Sequence, residues 1–320
     1  MVQQSSDAGT SSVPLVSVAI TAYNSEHALA QAIDSVMAQK TDFPLEIVVG
    51  DDCSKDSTVA VANSYAERFP GIVRVLAQPV NVGIQRNYYQ TFEACRGKYI
   101  AWLDADDYWT DPEKLAVQTQ LLEADPTVMV CGHVARFVTT DRELVKDRHP
   151  STPAGRFGLE EIIRCNFLPS LSVVFRNGIH RQLPQWYFDL APITDWPIWV
   201  IAAKAGDIVL LDRVMADYTL TPGSAFMGKG LLYGNRLDAR FYDHIVTLLS
   251  GKYIRIANAE KGLRYESVAY LLRKEKDFIG SRKAAVQAFV APALLDNVAS
   301  KSKALLAAVT RELQWRLSGA

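Results

Sequence analysis

Residues 98–109 read KYIAWLDADDYW, a short apolar run that stops at Asp104-Ala105-Asp106-Asp107. A run of this length ended by a polar cluster reads as a strand buried on both faces, with its end in solvent. The arrangement recurs upstream. Leu15 to Ile20 runs into Thr21-Ala22-Tyr23-Asn24, Leu45 to Gly50 into Asp51-Asp52, and Ile72 to Ala77 ends at Gln78. A stretch of helical apolar spacing follows each one: Leu29, Ile33, Val36 and Met37, then Ser57 to Phe69, Ile84 to Cys95 and Pro112 to Glu123. Four strand-helix units in succession predict an α/β fold, a mostly parallel sheet with right-handed crossovers covering both faces. Ligands of such sheets bind beyond the carboxyl ends of the strands, so the residues after Ile20, Gly50, Ala77 and Leu103 are where function is sought.

Further along, Thr127 to Cys131 and Leu171 to Phe175 read as strands, and Asp195 to Ala205 as a helix closed by Gly206. Ile208 to Leu211 and Val214 to Leu220 read as two more strands. From about Leu231 the pattern is helical, with apolar spacing at Val268, Leu271 and Leu272 and again at Leu305, Leu306 and Val309. The expected organisation is a leader (1–13), an α/β domain (14–225) divided at residue 110 into a nucleotide-binding half and an acceptor or catalytic half, and a helical region (226–320).

The chain of 320 residues is 49% hydrophobic and carries 34 Lys and Arg against 35 Asp and Glu, a formal net charge of -1. That balance argues against a nucleic-acid partner, which would call for a basic excess. No apolar run reaches the roughly 20 residues of a membrane span, and the polar start has no signal-peptide pattern. Cys53, Cys95, Cys131 and Cys165 lie far apart, without metal-ligand or disulfide spacing, and read as reduced thiols of a cytoplasmic protein. Charge is unevenly spread: residues 251–320 hold 13 Lys and Arg against 6 Asp and Glu, a net of +7, which leaves -8 on residues 1–250. Trp315 lies between Arg311 and Arg316, a composition suited to peripheral contact with an anionic membrane surface, or simply to solvated helix faces.

The carboxylates at the strand ends converge on one edge if the sheet is parallel, and crowded like charges ask for a cation. Asp104 and Asp106 alternate along extended chain and can face one hard divalent ion, Mg2+ or Mn2+, bridging to phosphate. The alternative is a helix N-cap with an acidic first turn leading to Pro112.

Four segments occur in a fixed order: residues 16–24 (VSVAITAYN), 47–58 (IVVGDDCSKDST), Asn81-Val82-Gly83 with Arg86-Asn87, and 98–109. Together they resemble glycosyltransferase family 2, inverting enzymes of the GT-A fold that use nucleotide-sugar donors. The likeness covers roughly Pro14 to Ser224. It implies that Tyr23 stacks on the base, Asp52 accepts the imide N–H of uracil or thymine, Thr21 adds a polar contact, and Arg86 lies near the base or diphosphate. It also implies Asp106 as direct metal ligand, with Asp104 reaching the ribose or the ion's waters. The segment from Ile193 to Gly206 resembles the one that carries the family's catalytic base, which falls on Asp195; Trp196 and Trp199 are candidates for the floor of a sugar subsite. Asp195 also reads as an N-cap ahead of Pro197.

Two departures stand out. Cys53 replaces the glycine of Asp-Asp-Gly-Ser. Thr221 replaces the histidine of Tyr-Arg-x-His-Pro-Gly-Ser in the loop from Ala216 to Ser224, which puts a protein contact to the metal in doubt. The function expected is transfer of a sugar from a UDP- or dTDP-sugar to a hydroxyl of a glycan or lipid-linked acceptor, in bacterial surface polysaccharide assembly. Two rivals stay open: a non-catalytic nucleotide-sugar-binding subunit, and a nucleotidyltransferase, although Thr21-Ala22-Tyr23-Asn24-Ser25 lacks the Gly-rich phosphate loop that the latter needs.

Overall fold

The computed structural model describes residues 13–221 and 229–290. The leader before Val13, the Pro222 to Ser224 end of the loop, and Leu305, Leu306, Val309, Arg311, Trp315 and Arg316 lie outside the described residues. The expected alternation is present: β1 (Val16–Ala22), α1 (Leu29–Met37), β2 (Leu45–Asp51), α2 (Thr58–Arg68), β3 (Val73–Ala77), α3 (Ile84–Ala94) and β4 (Tyr99–Asp104). After these come β5 (Tyr108–Trp109), α4 (Lys114–Ala124), β6 (Val128–Thr139), β7 (Leu144–His149), β8 (Gly155–Phe157), α5 (Leu159–Arg164), β9 (Val174–Arg176), α6 (Trp196–Ala205) and β10 (Asp207–Leu220).

The strands form one mixed, mostly parallel sheet in the order β3-β2-β1-β4-β9-β6-β10-β5, with β7 on β6 and β8 on β10. β3, β2, β1 and β4 run parallel, as do β6 and β10, while the short β9 joins the two parallel blocks antiparallel to both. Every residue of β1 and β2 is buried, as strands covered on both faces require. Each aliphatic side chain there, such as Ile20 or Ile47, contributes roughly 1.5–3 kcal/mol by burial. Register sets the site: Thr21 pairs with Gly50 on one side and Asp104 on the other, so the polar ends of β1, β2 and β4 lie in one row.

Three differences from the sequence pattern have local causes. Ile208 to Leu220 is a single strand, not two, because the exposed Asp212, Arg213 and Val214 bulge out of register without breaking it. Leu171 and Ser172 belong to a 3-10 turn, and strand structure is confined to Val174–Arg176. The exposed, charged β7 carries no alternation that marks it as a strand.

By compactness the chain divides into one unit made of residues up to Ile162 with Asn166–Thr221, and another made of Ile163–Cys165 with Pro222 onward. The second contains α7 (Gly230–Ile245), α8 (Lys252–Lys274) and α9 (Phe278–Val290). There Val268, Ala269 and Leu272 of α8 pack with Ala284 and Ala285 of α9, and the Tyr242 hydroxyl donates to the Ile163 carbonyl at 2.7 Å. Among the described residues no helix is long and apolar enough to cross a membrane.

Candidate active site

The loops after β1 and β2 are laced together. Asn24 takes a positive φ of 49° and sets its Oδ1 2.8 Å from the Lys55 N–H, while its own N–H donates to Ser54 Oγ at 2.8 Å. One residue on, the Ser25 N–H donates to Thr58 Oγ1 at 2.7 Å, and Glu26 N–H to Asp56 Oδ2 at 3.1 Å. Asp51 turns the second loop by accepting the Ser54 N–H at 3.0 Å and its hydroxyl. Cys53, where the resemblance leads one to look for glycine, makes the turn as an L-residue at φ 61°. On this frame Tyr23 is 51% exposed, an aromatic face open to a ligand.

Asp52 is 4% exposed, and both of its oxygens are engaged: Oδ1 accepts the Val82 N–H at 2.6 Å and Oδ2 the Gly83 N–H at 3.0 Å. A carboxylate has four acceptor sites, so Asp52 keeps one on each oxygen while it fixes the chain entering α3. Arg86, in the first turn of α3, is exposed, with its guanidinium 4.8 Å from the centre of the Phe188 ring. Gly50 is required for this packing, since a Cβ there would collide with the Thr91 side chain of α3.

Beyond β4 the carboxylates sit differently. Asp104 is held by four donors: Thr21 Oγ1 at 2.8 Å, the Tyr88 hydroxyl at 2.7 Å and Trp102 Nε1 at 3.2 Å on Oδ1, and Ser170 Oγ at 3.1 Å on Oδ2. Asp106 accepts from Thr221 Oγ1 at 2.9 Å, and the buried Asp107 accepts the Thr219 N–H at 2.8 Å. Burial, and then the charge of Asp104, raise the pKa of Asp106; burial, Asp106 and Asp104 push that of Asp107 well up. Asp217, next on β10, is matched instead, in a bidentate pair with Arg136 at 2.6 and 2.8 Å and with the Tyr108 hydroxyl at 2.9 Å.

Asp195 caps α6. Its Oδ1 accepts the Trp196 N–H at 2.7 Å and its Oδ2 accepts Asn166 Nδ2 at 3.0 Å. Burial raises its pKa against those hydrogen bonds. The two tryptophans do not floor a subsite. Trp199 is 0% exposed and packs against Trp102 and Phe175 at 5.9 and 5.6 Å between ring centres, and Trp196 is buried with Nε1 on the Ile162 carbonyl at 2.6 Å. Their apolar helix face belongs to the core, which corrects the expectation of a sugar contact.

The ionisation of Tyr218, on β10, is opposed first by burial and then by Asp107, Asp104, Asp106 and Asp195. Tyr218, Ser170, Tyr88 and Asn166 were not singled out from sequence: Tyr218 lies in a quoted motif, Tyr88 in the helical stretch from Ile84 to Cys95, where its spacing reads as core, and Ser170 and Asn166 stand outside any quoted motif. Among the described residues no three His, Cys, Asp or Glu side chains are grouped to hold a metal. Asp106, with Asp104 beside it, nevertheless fits a hard cation that takes its other ligands from phosphate and water, because a cation offsets the crowding that raises its pKa.

The sequence model described as "Glycosyl transferase family 2" matches residues 17–182, just over half of the chain. An uncharacterized protein of Mycobacterium tuberculosis is 33% identical over 204 residues, 63% of this chain and 58% of the relative, so the chain spans little more than half of that relative's length. An uncharacterized glycosyltransferase of Nostoc sp. is 28% identical over 215 residues, 64% of each. Among solved structures, residues 1–349 of TarS from S. aureus with UDP-GlcNAc superpose with a TM-score of 0.63 at 18% identity, covering 93% of this chain and 91% of that one. The mannosyltransferase PcManGT from Pyrobaculum calidifontis, with GDP-Man and Mn2+, gives 0.58 at 18%, covering 94% and 83%. At such identities these two structures show the GT-A fold.

Proposed function

The chain belongs to glycosyl transferase family 2, and from that premise we propose that it moves a sugar from a UDP- or dTDP-sugar to a hydroxyl of a glycan or lipid-linked acceptor, with inversion, in bacterial surface polysaccharide assembly. We assign nucleotide binding to residues 14–110 and acceptor binding and catalysis to 111–225, with 226–320 an accessory helical region. The observation that carries the reading is the row of polar strand ends, in which Thr21 pairs with Gly50, just ahead of Asp51 and Asp52, on one side and with Asp104 on the other, donating to Asp104 Oδ1 at 2.8 Å. A single displacement demands a donor site and a base, and we assign these to the acid after β4 and to Asp195 at the head of α6.

In this reading Tyr23 stacks on the pyrimidine, and Asp52 offers its remaining acceptor sites to the imide N–H. Thr21 and Asp104 stand at the ribose, and Arg86 near the diphosphate. The acceptor oxygen attacks the anomeric carbon as its O–H bond breaks toward the Asp195 carboxylate, and the bond to the diphosphate breaks with its electron pair leaving on the phosphate oxygen. Asp195 is fixed by Asn166 and Trp196, and a raised pKa brings it closer to the working pH of a general base. A divalent cation, Mn2+ or Mg2+, held by Asp106 with Asp104 beside it, would supply charge stabilisation to the leaving diphosphate.

The test is a panel of UDP- and dTDP-sugars assayed for hydrolysis with Mn2+, with Mg2+ and in EDTA. Metal-dependent release of UDP or dTDP from at least one donor supports the reading. Binding of UDP without turnover of any donor supports the non-catalytic alternative instead. For the helical region we propose cytoplasmic-face contact with anionic membranes, supported by the basic excess and by Ile254, Leu263, Tyr270 and Ile279, each exposed; vesicle co-sedimentation that fades with salt is the expected result, and none at low salt would count against it.

A further inference from the structure

Asp104 and Asp106 are held in unlike ways. Four donors, from β1, α3, β4 and the turn at Ser170, hold Asp104 by both of its oxygens. Asp106 has one side-chain partner among the described residues, the Thr221 hydroxyl, which donates to Oδ2 at 2.9 Å across 115 positions of sequence. Two residues earlier on the same strand end, the Thr219 N–H reaches Asp107 Oδ1 at 2.8 Å. The end of β10 therefore grips the acid loop at two successive carboxylates.

A carboxylate on a freely turning side chain presents its oxygens in many directions, and ordering it on binding costs affinity. With Oδ2 anchored, Oδ1 has one direction. A hydroxyl suits this use: as donor to Oδ2 it leaves Asp106 its full negative charge, whereas a cationic donor would cancel it. The grip comes from a residue that stands where the resemblance calls for an imidazole, so a hydroxyl oxygen meets Asp106 at that position.

We propose that Thr221 is a positioning residue for Asp106, clamping Oδ2 so that Oδ1 is presented to the cation and diphosphate of the donor. The inference rests on the reading of Asp106 as the cation-holding residue. The experiment is calorimetric titration of UDP into the full chain with Mn2+ and in EDTA, for the wild type, Thr221→Val and Thr221→Ser, each checked for an unchanged melting temperature. Thr221→Val keeps the shape and loses the donor; it is expected to weaken Mn2+-dependent UDP binding by about tenfold, on the scale of one hydrogen bond to a charged group, while affinity in EDTA stays at the wild-type value. Thr221→Ser keeps the hydroxyl and is expected to restore most of the loss. Wild-type behaviour of Thr221→Val, or a Thr221→Ser as weak as Thr221→Val, overturns the positioning role and leaves the reading of Asp106 standing. A wild type whose UDP affinity does not respond to Mn2+ or Mg2+ overturns both.

Discussion

The loops after β1 and β2 and the loop after β4 stand at the ends of neighbouring strands, yet they treat their carboxylates in opposite ways. In the first, charge meets donors at once: Asp51 takes the Ser54 N–H, Asp52 those of Val82 and Gly83, and Asp56 that of Glu26. Burial works against the charge of Asp56, but the hydroxyl and N–H of Thr58 and the N–H of Glu26 outweigh it and hold the carboxyl below its usual range. In the second, burial and mutual repulsion hold Asp106 and Asp107 above theirs. The first region is a finished shelf, ordered before a ligand arrives; the second stores unmatched charge that a cation or a proton relieves.

Removing the stored charge should have the largest effect. Asp106→Ala is expected to lower kcat/KM by roughly 10³-fold and to abolish Mn2+-dependent donor binding, with the fold intact by circular dichroism. Wild-type activity of Asp106→Ala in the presence of Mn2+ would sink the reading of this loop. A smaller effect should divide binding from chemistry. Asp195→Asn is expected to leave donor affinity nearly unchanged and lower kcat by about 10²-fold or more. Asp52→Ala should weaken UDP binding first, since it removes both a base contact and the support of residues 82 and 83. Equal losses of donor affinity in the two variants would contradict this division.

These residues differ in how far sequence alone reveals them. Thr21, Tyr23, Asp52, Asp104 and Asp106 stand at or just past the ends of strands marked by apolar runs, so strand ends and candidate site were legible together. The partners that finish the site were not. Ser170 meets Asp104 from a stretch of turns, and Thr221 meets Asp106 only because β10 returns beside the acid loop, a pairing that no local pattern encodes. The exposed Asp212-Arg213 pair imitated a turn, since charge in mid-strand and charge in a loop look alike until the neighbouring Arg148, Asp111 and Glu113 are known. The tryptophans of α6 misled for a related reason: a helix wrapped in core and a helix lining a subsite share one composition.

The same contrast predicts stability effects of opposite sign with pH. The folded pKa of Asp107 is raised, so the folded state keeps a proton that the unfolded chain has lost; the carboxyl costs nothing below about pH 4, its unfolded pKa, and progressively more as pH rises through the folded value. Asp107→Asn keeps an oxygen for the Thr219 N–H, and should raise the melting temperature in EDTA at pH 7 by several degrees, at about 2–4 °C per kcal/mol for a chain of this size. That gain should vanish near pH 4. Asp56 is the counterpart: its lowered pKa gives stability that is present above the unfolded value and is lost as pH falls through the folded one, so Asp56→Asn should lower the melting temperature at pH 7, by an amount that shrinks as pH falls below about 4. Shifts of the same sign in both variants would show that the two regions do not differ in the way described.

The smallest expected effect tests how finished the shelf is. Cys53 holds φ 61°, a conformation that costs an L-residue roughly 1–2 kcal/mol and glycine almost nothing. Against this, glycine loses more freedom on folding, roughly 0.5–1 kcal/mol, and the variant gives up the thiol's contact with Lys55 Nζ at 3.2 Å. Cys53→Gly should therefore stabilise by about 1 kcal/mol at most, read as a higher urea midpoint at unchanged m-value. UDP affinity should not move, because Asp52 is fixed by residues 82 and 83 rather than by the turn that follows it. A lower midpoint would mean that the thiol holds the loop more firmly than its strained backbone loosens it, and weaker UDP binding at an unchanged midpoint would show that the shelf depends on this turn after all.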